Sequence, residues 1–336
     1  MRKRDTNNNQ IQLMNLEQAK SDIEDAIKQL QFSDNPPELY EPIRYLLSIG
    51  GKRMRPMLTL LGYYLYKDSI EKVMKPALAV EVFHNFTLMH DDIMDNAPKR
   101  RGMATVHEKW NANIGILSGD AMLIEAYNLL LDIEPSQLKN IFSLFNKCAL
   151  EVCEGQQKDM NFEQIESVSV EQYLDMIRQK TSVLLGFALQ LGALLGGASQ
   201  NDAQKLCEFG VNIGLGFQLK DDLLDVYGNP EKFGKQVGGD IISNKKTYLL
   251  IRALEKADLE TKKKLDYWIG LTDFISTEKV EEVTKTFTNL GIEEETELLI
   301  QSYFEKAFKL LDEIEIEGNK RDFLINFTKN LIHREN

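Results

Sequence analysis

Cysteine is scarce in this chain: 336 residues contain three, Cys148, Cys153 and Cys207. So uneven a trio builds no disulfide framework and matches no thiolate metal spacing. Free thiols in a reducing compartment, and hence a cytoplasmic protein, are the expectation. A long hydrophobic run is lacking as well. The nearest approach, residues 183–198, is interrupted by Gln190, holds four glycines and falls short of the ~20 residues of a membrane span. It reads as a helix buried in a large core, with no membrane span expected. Residues 1–9 are basic and Asn-rich without an apolar segment, so no secretory signal is expected and residues 1–12 read as a frayed tail. Positive charge is in deficit, 40 Lys and Arg against 52 Asp and Glu, for a net charge of −12. A nucleic-acid binder needs a broad basic surface, so no nucleic acid is expected as partner.

Strand-like alternation is rare, repeats of 20–50 residues are absent, and no Gly/Ser linker divides the chain. With 43% hydrophobic residues, the chain can bury a sizeable core. Apolar residues recur at helical spacing over 16–31, 38–49, 54–66, 73–96, 104–111, 115–132, 136–159, 170–197, 201–228, 244–256, 258–272, 277–290, 292–315 and 319–333. The breaks fall at Pro36-Pro37, Pro98, Gly102 and Gly196-Gly197. The pattern predicts an all-α protein with residues 13–336 as a single large helical domain. The Gly-rich stretch 228–240 is the most loop-like internal segment and reads as a lid.

What the chain does have is a repeated acidic pattern. Asp91, Asp92 and Asp95 stand at i, i+1 and i+4 after an apolar helical segment, and Asp221, Asp222 and Asp225 repeat the arrangement 130 positions later. On a helix the first and last of each set lie one turn apart on one face. Like charges that close repel unless a strong positive charge sits between them, and oxygen donors with room for water suit Mg²⁺. Basic islands at 52–55, 99–101 and 245–246 stand out against the acidic total. Carboxylates and basic islands together suit a small, multiply charged anion held through metal, of which a diphosphate is the natural candidate.

These residues carry a family resemblance. Asp91-Asp92-x-x-Asp95 with Arg100-Arg101-Gly102, and Asp221-Asp222-x-x-Asp225, resemble the two aspartate-rich motifs of the all-trans prenyl diphosphate synthases. Gly50-Gly51-Lys52-Arg53-Met54-Arg55-Pro56, Gly155-Gln156, Lys180-Thr181 and Gly234-Lys235 through Gly239-Asp240 to Lys246-Thr247 match the same family in order. The resemblance implies an isoprenoid-synthase fold, helices around a central active-site cavity, and a homodimer. It implies condensation of isopentenyl diphosphate with an allylic diphosphate, assisted by three Mg²⁺ ions. Asp91, Asp95 and Asp221 would be metal ligands, with Asp92, Asp222 and Asp225 as further candidates. Arg100, Lys180, Lys235 and Lys246 would contact the allylic diphosphate, with Thr181 and Gln218 beside the reacting carbons and Asp159 near the metals. Lys52, Arg55, His84 and Arg101 would bind isopentenyl diphosphate, with Gly51 allowing close approach.

Product length should be set on the helix before Asp91. Five residues back, about 7.5 Å along the axis, stands Phe86, with Phe83 three further back and the small Thr87 at four back. By resemblance this pattern fits a C20 product, with C15 open because Phe83 adds bulk. Two rivals remain: a class I terpene cyclase, whose second motif usually carries Asn, Ser or Thr and Glu, and a non-catalytic partner subunit, which often lacks one aspartate motif.

Overall fold

The computed structural model describes residues 14–228 and 238–332. Its helices are α1 (Leu16–Lys28), α2 (Pro37–Ser48), α3 (Met54–Tyr64), α4 (Met74–Met94), α5 (Val106–Lys109), α6 (Ala112–Leu130), α7 (Pro135–Gln164), α8 (Val170–Ile177), α9 (Val183–Gly196), α10 (Gln200–Tyr227), α11 (Gly239–Ile242), α12 (Tyr248–Lys256), α13 (Leu259–Gly270), α14 (Ser276–Asn289), α15 (Ile292–Asp312) and α16 (Gly318–Ile332). The protein is all-α, as the periodicity predicts, with two local departures. Residues 99–104, where a helix was expected to begin at 104, instead form a small antiparallel hairpin, Lys99–Arg100 (β1) with Met103–Ala104 (β2). The chain leaves α4 through Asn96 at φ 49° and turns at Arg101 and Gly102, φ 51° and 79°. Two consecutive left-handed residues are what a tight two-residue hairpin needs. The second departure divides the expected 170–197 helix into α8, a π-turn at Arg178–Ser182, and α9.

The described residues fall into two compact helical units, 14–138 with 191–199, and 139–190 with 200–332. In the first, α4 is the central element and packs most extensively on α6, then on α3. Leu78, Val82, Phe83 and Met89 are buried along it, and α1 adds Ala19, Ile23 and Ile27 at four-residue spacing. A buried charge ties this unit together. Arg53, 2% exposed and at φ 47°, lies just before α3. Its guanidinium donates to Glu24 on α1 at 2.9 Å, to Glu81 on α4 at 2.6 Å, and to the Leu47 carbonyl at 2.8 Å. Those partners offset the desolvation of the guanidinium, and the two glutamates push its pKa upward.

In the second unit α10 is central and packs along α15. The unit's share of α9 is buried from Val183 to Gln190, as expected of a core helix. Gln190 donates its amide to Gln204 at 3.3 Å. Among the described residues no helix is long and apolar enough to cross a membrane.

The Arg53 cluster yields a stability prediction. Arg53→Met strands Glu81, itself 4% exposed, and removing one partner of a buried pair costs about 3–5 kcal/mol. Urea unfolding should show a loss of that size, partly recovered in the Arg53→Met, Glu81→Gln double variant. A negligible loss would mean that the pair does not anchor α3 to α4.

Candidate active site

The first aspartate cluster ends α4. Asp91 is half-buried and Asp95 exposed, one turn apart, whereas Asp92 is rotated about 100° away and is only 2% exposed. The Asp92 carboxylate is gripped by Arg100, whose Nε lies 3.0 and 2.8 Å from its two oxygens and whose Nη2 lies 2.7 Å from Oδ1. The same Nη2 is 3.6 Å from Asp91. This charge-assisted fork fixes the end of α4 against the hairpin. The hairpin is held in turn by the Tyr45 hydroxyl, which donates to the Ala104 carbonyl at 2.8 Å, and by the Thr105 hydroxyl, which donates to Ala97 at 2.7 Å.

A second, basic pocket sits in the same unit. Arg55 Nη1 is 3.1 Å from His84 Nε2, two turns before Asp91 on α4. Arg101, at the hairpin turn, lays its guanidinium against Gly51, where a Cβ would come within 2.7 Å of Nη1. Only a residue without a side chain admits that approach. Lys52, exposed, follows Gly51 in the chain. Burial, then the charges of Arg55, Arg101, Arg100 and Arg53, hold His84 well below the ordinary histidine pKa, so its ring is neutral at pH 7. Burial also lowers Arg101, with Arg53 and Arg100 repelling it and Glu81 opposing the shift. Mutually repelling cations around a neutral histidine are a cradle that an anion would relieve.

The second cluster lies on α10 with a parallel arrangement. Asp222 is 3% exposed, while Asp221 and Asp225 are half-buried. Here the central carboxylate accepts hydrogen bonds from neutral donors, the Tyr173 hydroxyl and Gln218 Nε2, the latter at 3.2 Å. Burial and the nearby Asp240 raise Asp222 to about 7, while burial and Asp222 push Tyr173 well above the usual tyrosine value. Tyr173 is set one turn into α8 by a capping box at Ser169, whose hydroxyl accepts from the Gln172 amide while Gln172 returns a bond to the Ser169 N–H. Asp225 accepts the Asp240 N–H at 2.9 Å, and its carbonyl accepts the Gly238 N–H at 2.6 Å.

Lys180 and Thr181 occupy the π-turn, a motif that recurs at functional sites. The turn is pressed onto Gly155 of α7, where a Cβ would stand 2.2 Å from the Lys180 backbone nitrogen. Lys180 donates to Asp159, one turn beyond Gly155, at 2.6 Å. Lys246 extends its ammonium to the Phe162 carbonyl, also at 2.6 Å. Lys235 and most of the expected lid, residues 229–237, lie outside the described residues.

On α4, Phe83 and Phe86 are 1% and 9% exposed with ring centroids 5.6 Å apart. The Phe86 ring also meets the His90 imidazole at 4.8 Å. Thr87 turns its hydroxyl onto the His84 carbonyl at 2.7 Å. The two phenylalanines read from the sequence thus form a row of three rings with His90.

The structure thus gathers Gly51, Arg55, His84 and Arg101, couples Arg100 to the first cluster, and sets Gln218 against the second. Two features were not read from the sequence. Tyr173 carries no motif of its own, and only the Ser169-x-x-Gln172 cap marks the start of its helix. The pairing of Lys180 with Asp159 depends on the π-turn, which periodicity does not reveal. As for metal, the carboxylate donors of both clusters fit a hard divalent cation. Among the described residues no three His, Cys, Asp or Glu side chains form a ready-made cage. An ion here would complete its shell with water and ligand oxygens, as Mg²⁺ commonly does.

The polyprenyl synthetase family model matches residues 36–287. A geranylgeranyl diphosphate synthase of Methanosarcina mazei is 38% identical over 317 residues, covering 94% of this chain and 95% of its own. A crystal structure of a geranylgeranyl pyrophosphate synthase superposes with a TM-score of 0.92 at 43% identity, covering 96% of this chain and 100% of that one. A polyprenyl synthase of Caulobacter crescentus, complexed with calcium and isoprenyl diphosphate, gives a TM-score of 0.84 at 26% identity, covering 95% and 96%. With its aspartate clusters and basic pocket built from the residues that match the family's motifs, the chain belongs to the polyprenyl synthetase family.

Proposed function

We propose that this short-chain trans-prenyltransferase joins isopentenyl diphosphate head-to-tail to an allylic diphosphate of five to fifteen carbons, releasing diphosphate and giving a linear C20 prenyl diphosphate. The observation that carries the reading is the adjacency of two unlike anion sites in one unit. Arg100 grips the aspartate cluster, and its chain neighbour Arg101 enters the pocket with Arg55 and His84. A cyclase has one diphosphate to hold and no use for the second pocket. A non-catalytic subunit would not need both aspartate clusters intact.

In this reading Asp91 and Asp95 on α4, and Asp221 and Asp225 on α10, would hold Mg²⁺, three ions by family resemblance, which would supply electrophilic stabilisation of the departing diphosphate. Asp92 and Asp222 keep the helix ends rigid through Arg100 and through Tyr173 with Gln218. Lys180 and Lys246, together with Lys235 and Arg100, neutralise the allylic diphosphate as the carbon–oxygen bond breaks. Thr181 and Gln218 border the reacting carbons. Lys52, Arg55, Arg101 and neutral His84 orient isopentenyl diphosphate so that its alkene attacks the allylic carbon. The proton then lost from the new tertiary cation passes to the released diphosphate.

The Phe83–Phe86–His90 row supports a closed floor and hence the C20 product. A C15 product is the second reading, favoured by the contact between Phe83 and Phe86. A homodimer is supported by α6, which leaves Leu117, Ile124 and, just past its end, Leu131 exposed at seven-residue spacing. Light scattering at twice 38.5 kDa would bear it out.

The test is product analysis with Mg²⁺, isopentenyl diphosphate and C5, C10 or C15 allylic starters. A linear C20 diphosphate that disappears with EDTA is expected, and no condensation with any starter would refute the reading. In the same assay Asp91→Ala should lower kcat roughly 10²–10³-fold with little change in KM for isopentenyl diphosphate. Equal losses in both would detach the cluster from the metal. Phe86→Ala should lengthen the product, and an unchanged chain length would remove Phe86 from the floor.

A further inference from the structure

Lys279 of α14 matches none of the motifs above, yet it is 1% exposed. Its ammonium donates to the Asn244 side-chain oxygen at 2.7 Å and to the Ile242 carbonyl at 3.4 Å, and lies 4.2 Å from the centre of the Phe274 ring. These partners are an amide, a carbonyl and a ring face, none of them a carboxylate. Burying an ammonium among them is costly, and burial accordingly lowers its pKa. The cost is partly offset just past the C-terminal end of α11 by the Ile242 carbonyl and the Asn244 side-chain oxygen.

What the contact holds is a short strap between α10 and α12. At one end, Gly238 and Asp240 donate their N–H groups to the carbonyl and carboxylate of Asp225. Gly238, at φ 87°, is seated on Val280, next to Lys279, so closely that a Cβ would meet Val280 Cγ2 at 2.5 Å. At the other end, Asn244, at φ 56°, receives Lys279 and donates its own amide to the Ile269 carbonyl on α13 at 3.0 Å. The Lys245 N–H closes the turn onto the Asp240 carbonyl at 2.9 Å, and Lys246 follows directly.

We propose that Lys279 is a positioning residue for the transferase site, anchoring residues 238–246 to α14 and thereby setting the Asp225 carboxylate and Lys246. The inference rests on the functional reading above and deepens it. Without the ammonium, Ile242 and Asn244 lose their donor and the strap loses its hold at the end beside Lys246. Asp225 then loses the fixed N–H that orients its carboxylate. The isopentenyl diphosphate pocket, built from residues 51–101, does not involve this strap.

The experiment compares wild type, Lys279→Met, Lys279→Arg and Asn244→Gly in condensation kinetics with Mg²⁺ titrated, alongside circular dichroism and thermal melting. Asn244→Gly keeps the left-handed backbone and removes the acceptor of Lys279 together with the amide that donates to Ile269. Loss of a group that orients a metal ligand typically costs 10–100-fold. Lys279→Met and Asn244→Gly should therefore each raise the Mg²⁺ concentration for half-maximal rate roughly 10-fold and lower kcat, with KM for isopentenyl diphosphate within about 2-fold. Lys279→Arg should recover most of both. Folded variants with the wild-type Mg²⁺ midpoint and kcat would overturn the proposal alone. So would a loss of rate that tracks the unfolded fraction while the midpoint stays fixed, or failure of both variants to fold, either of which would assign Lys279 to folding. A wild type that forms no product would instead bring down the functional reading.

Discussion

Repulsion between carboxylates crowded onto one helix turn is the constraint around which this protein is arranged. Two carboxylates about 6 Å apart in a partly desolvated site destabilise each other unless positive charge or hydrogen-bond donors intervene. Each cluster meets this by burying its central aspartate against donors and presenting the outer pair on another face. The donors differ. Asp92 receives a full positive charge from Arg100, whereas Asp222 receives the hydroxyl of Tyr173 and the amide of Gln218. The second cluster's central carboxylate thus has no full positive charge among its hydrogen-bond donors, and burial with the nearby Asp240 raises the pKa of Asp222.

Buried cations do related work farther from the carboxylates. Arg53 pins the loop that carries Gly51, and the start of α3 with Arg55, to α1 and α4, and Lys279 pins the strap that carries Asp240 and Lys246 to α14. In both cases a desolvated cation is held by acceptors fixed on other segments. The segment it grips includes a non-glycine residue with positive φ, Arg53 itself or Asn244. Such backbone is unfavourable for residues with a side chain and persists where surrounding contacts over-determine it. These two segments, one in each unit, are thus irregular in backbone but tightly held.

Much of this was legible in the chain because it rests on local periodicity. The helices, the buried character of 183–198 and the one-turn relation of Asp91 to Asp95 follow from 3.6-residue spacing, and the observed helix ends mostly lie within two or three residues of those predicted. The motif match grouped Lys52, Arg55, His84 and Arg101 as one set, and the geometry brings the last three together while Lys52 stands exposed. What escaped was nonlocal or aperiodic. The hairpin at 99–104 needed Arg101 to adopt a left-handed conformation, which its residue type does not advertise. The π-turn needed Gly155 on another helix to make room. Tyr173 and Lys279 act through partners 49 and 35 residues away in sequence, and no spacing rule marks such pairs. Residues beyond 256 looked silent because their contribution is to brace, and bracing is written in three dimensions.

The hairpin turn has a further consequence. Arg100 and Arg101 are joined by a single peptide, yet one faces the aspartates and the other the histidine pocket. Consecutive Cα atoms stand 3.8 Å apart whatever the sequence around them. That covalent step acts as a gauge block, setting how far the aspartate cluster and the histidine pocket of this unit can drift relative to each other. One inserted or deleted residue between positions 99 and 104 would throw both out of register at once.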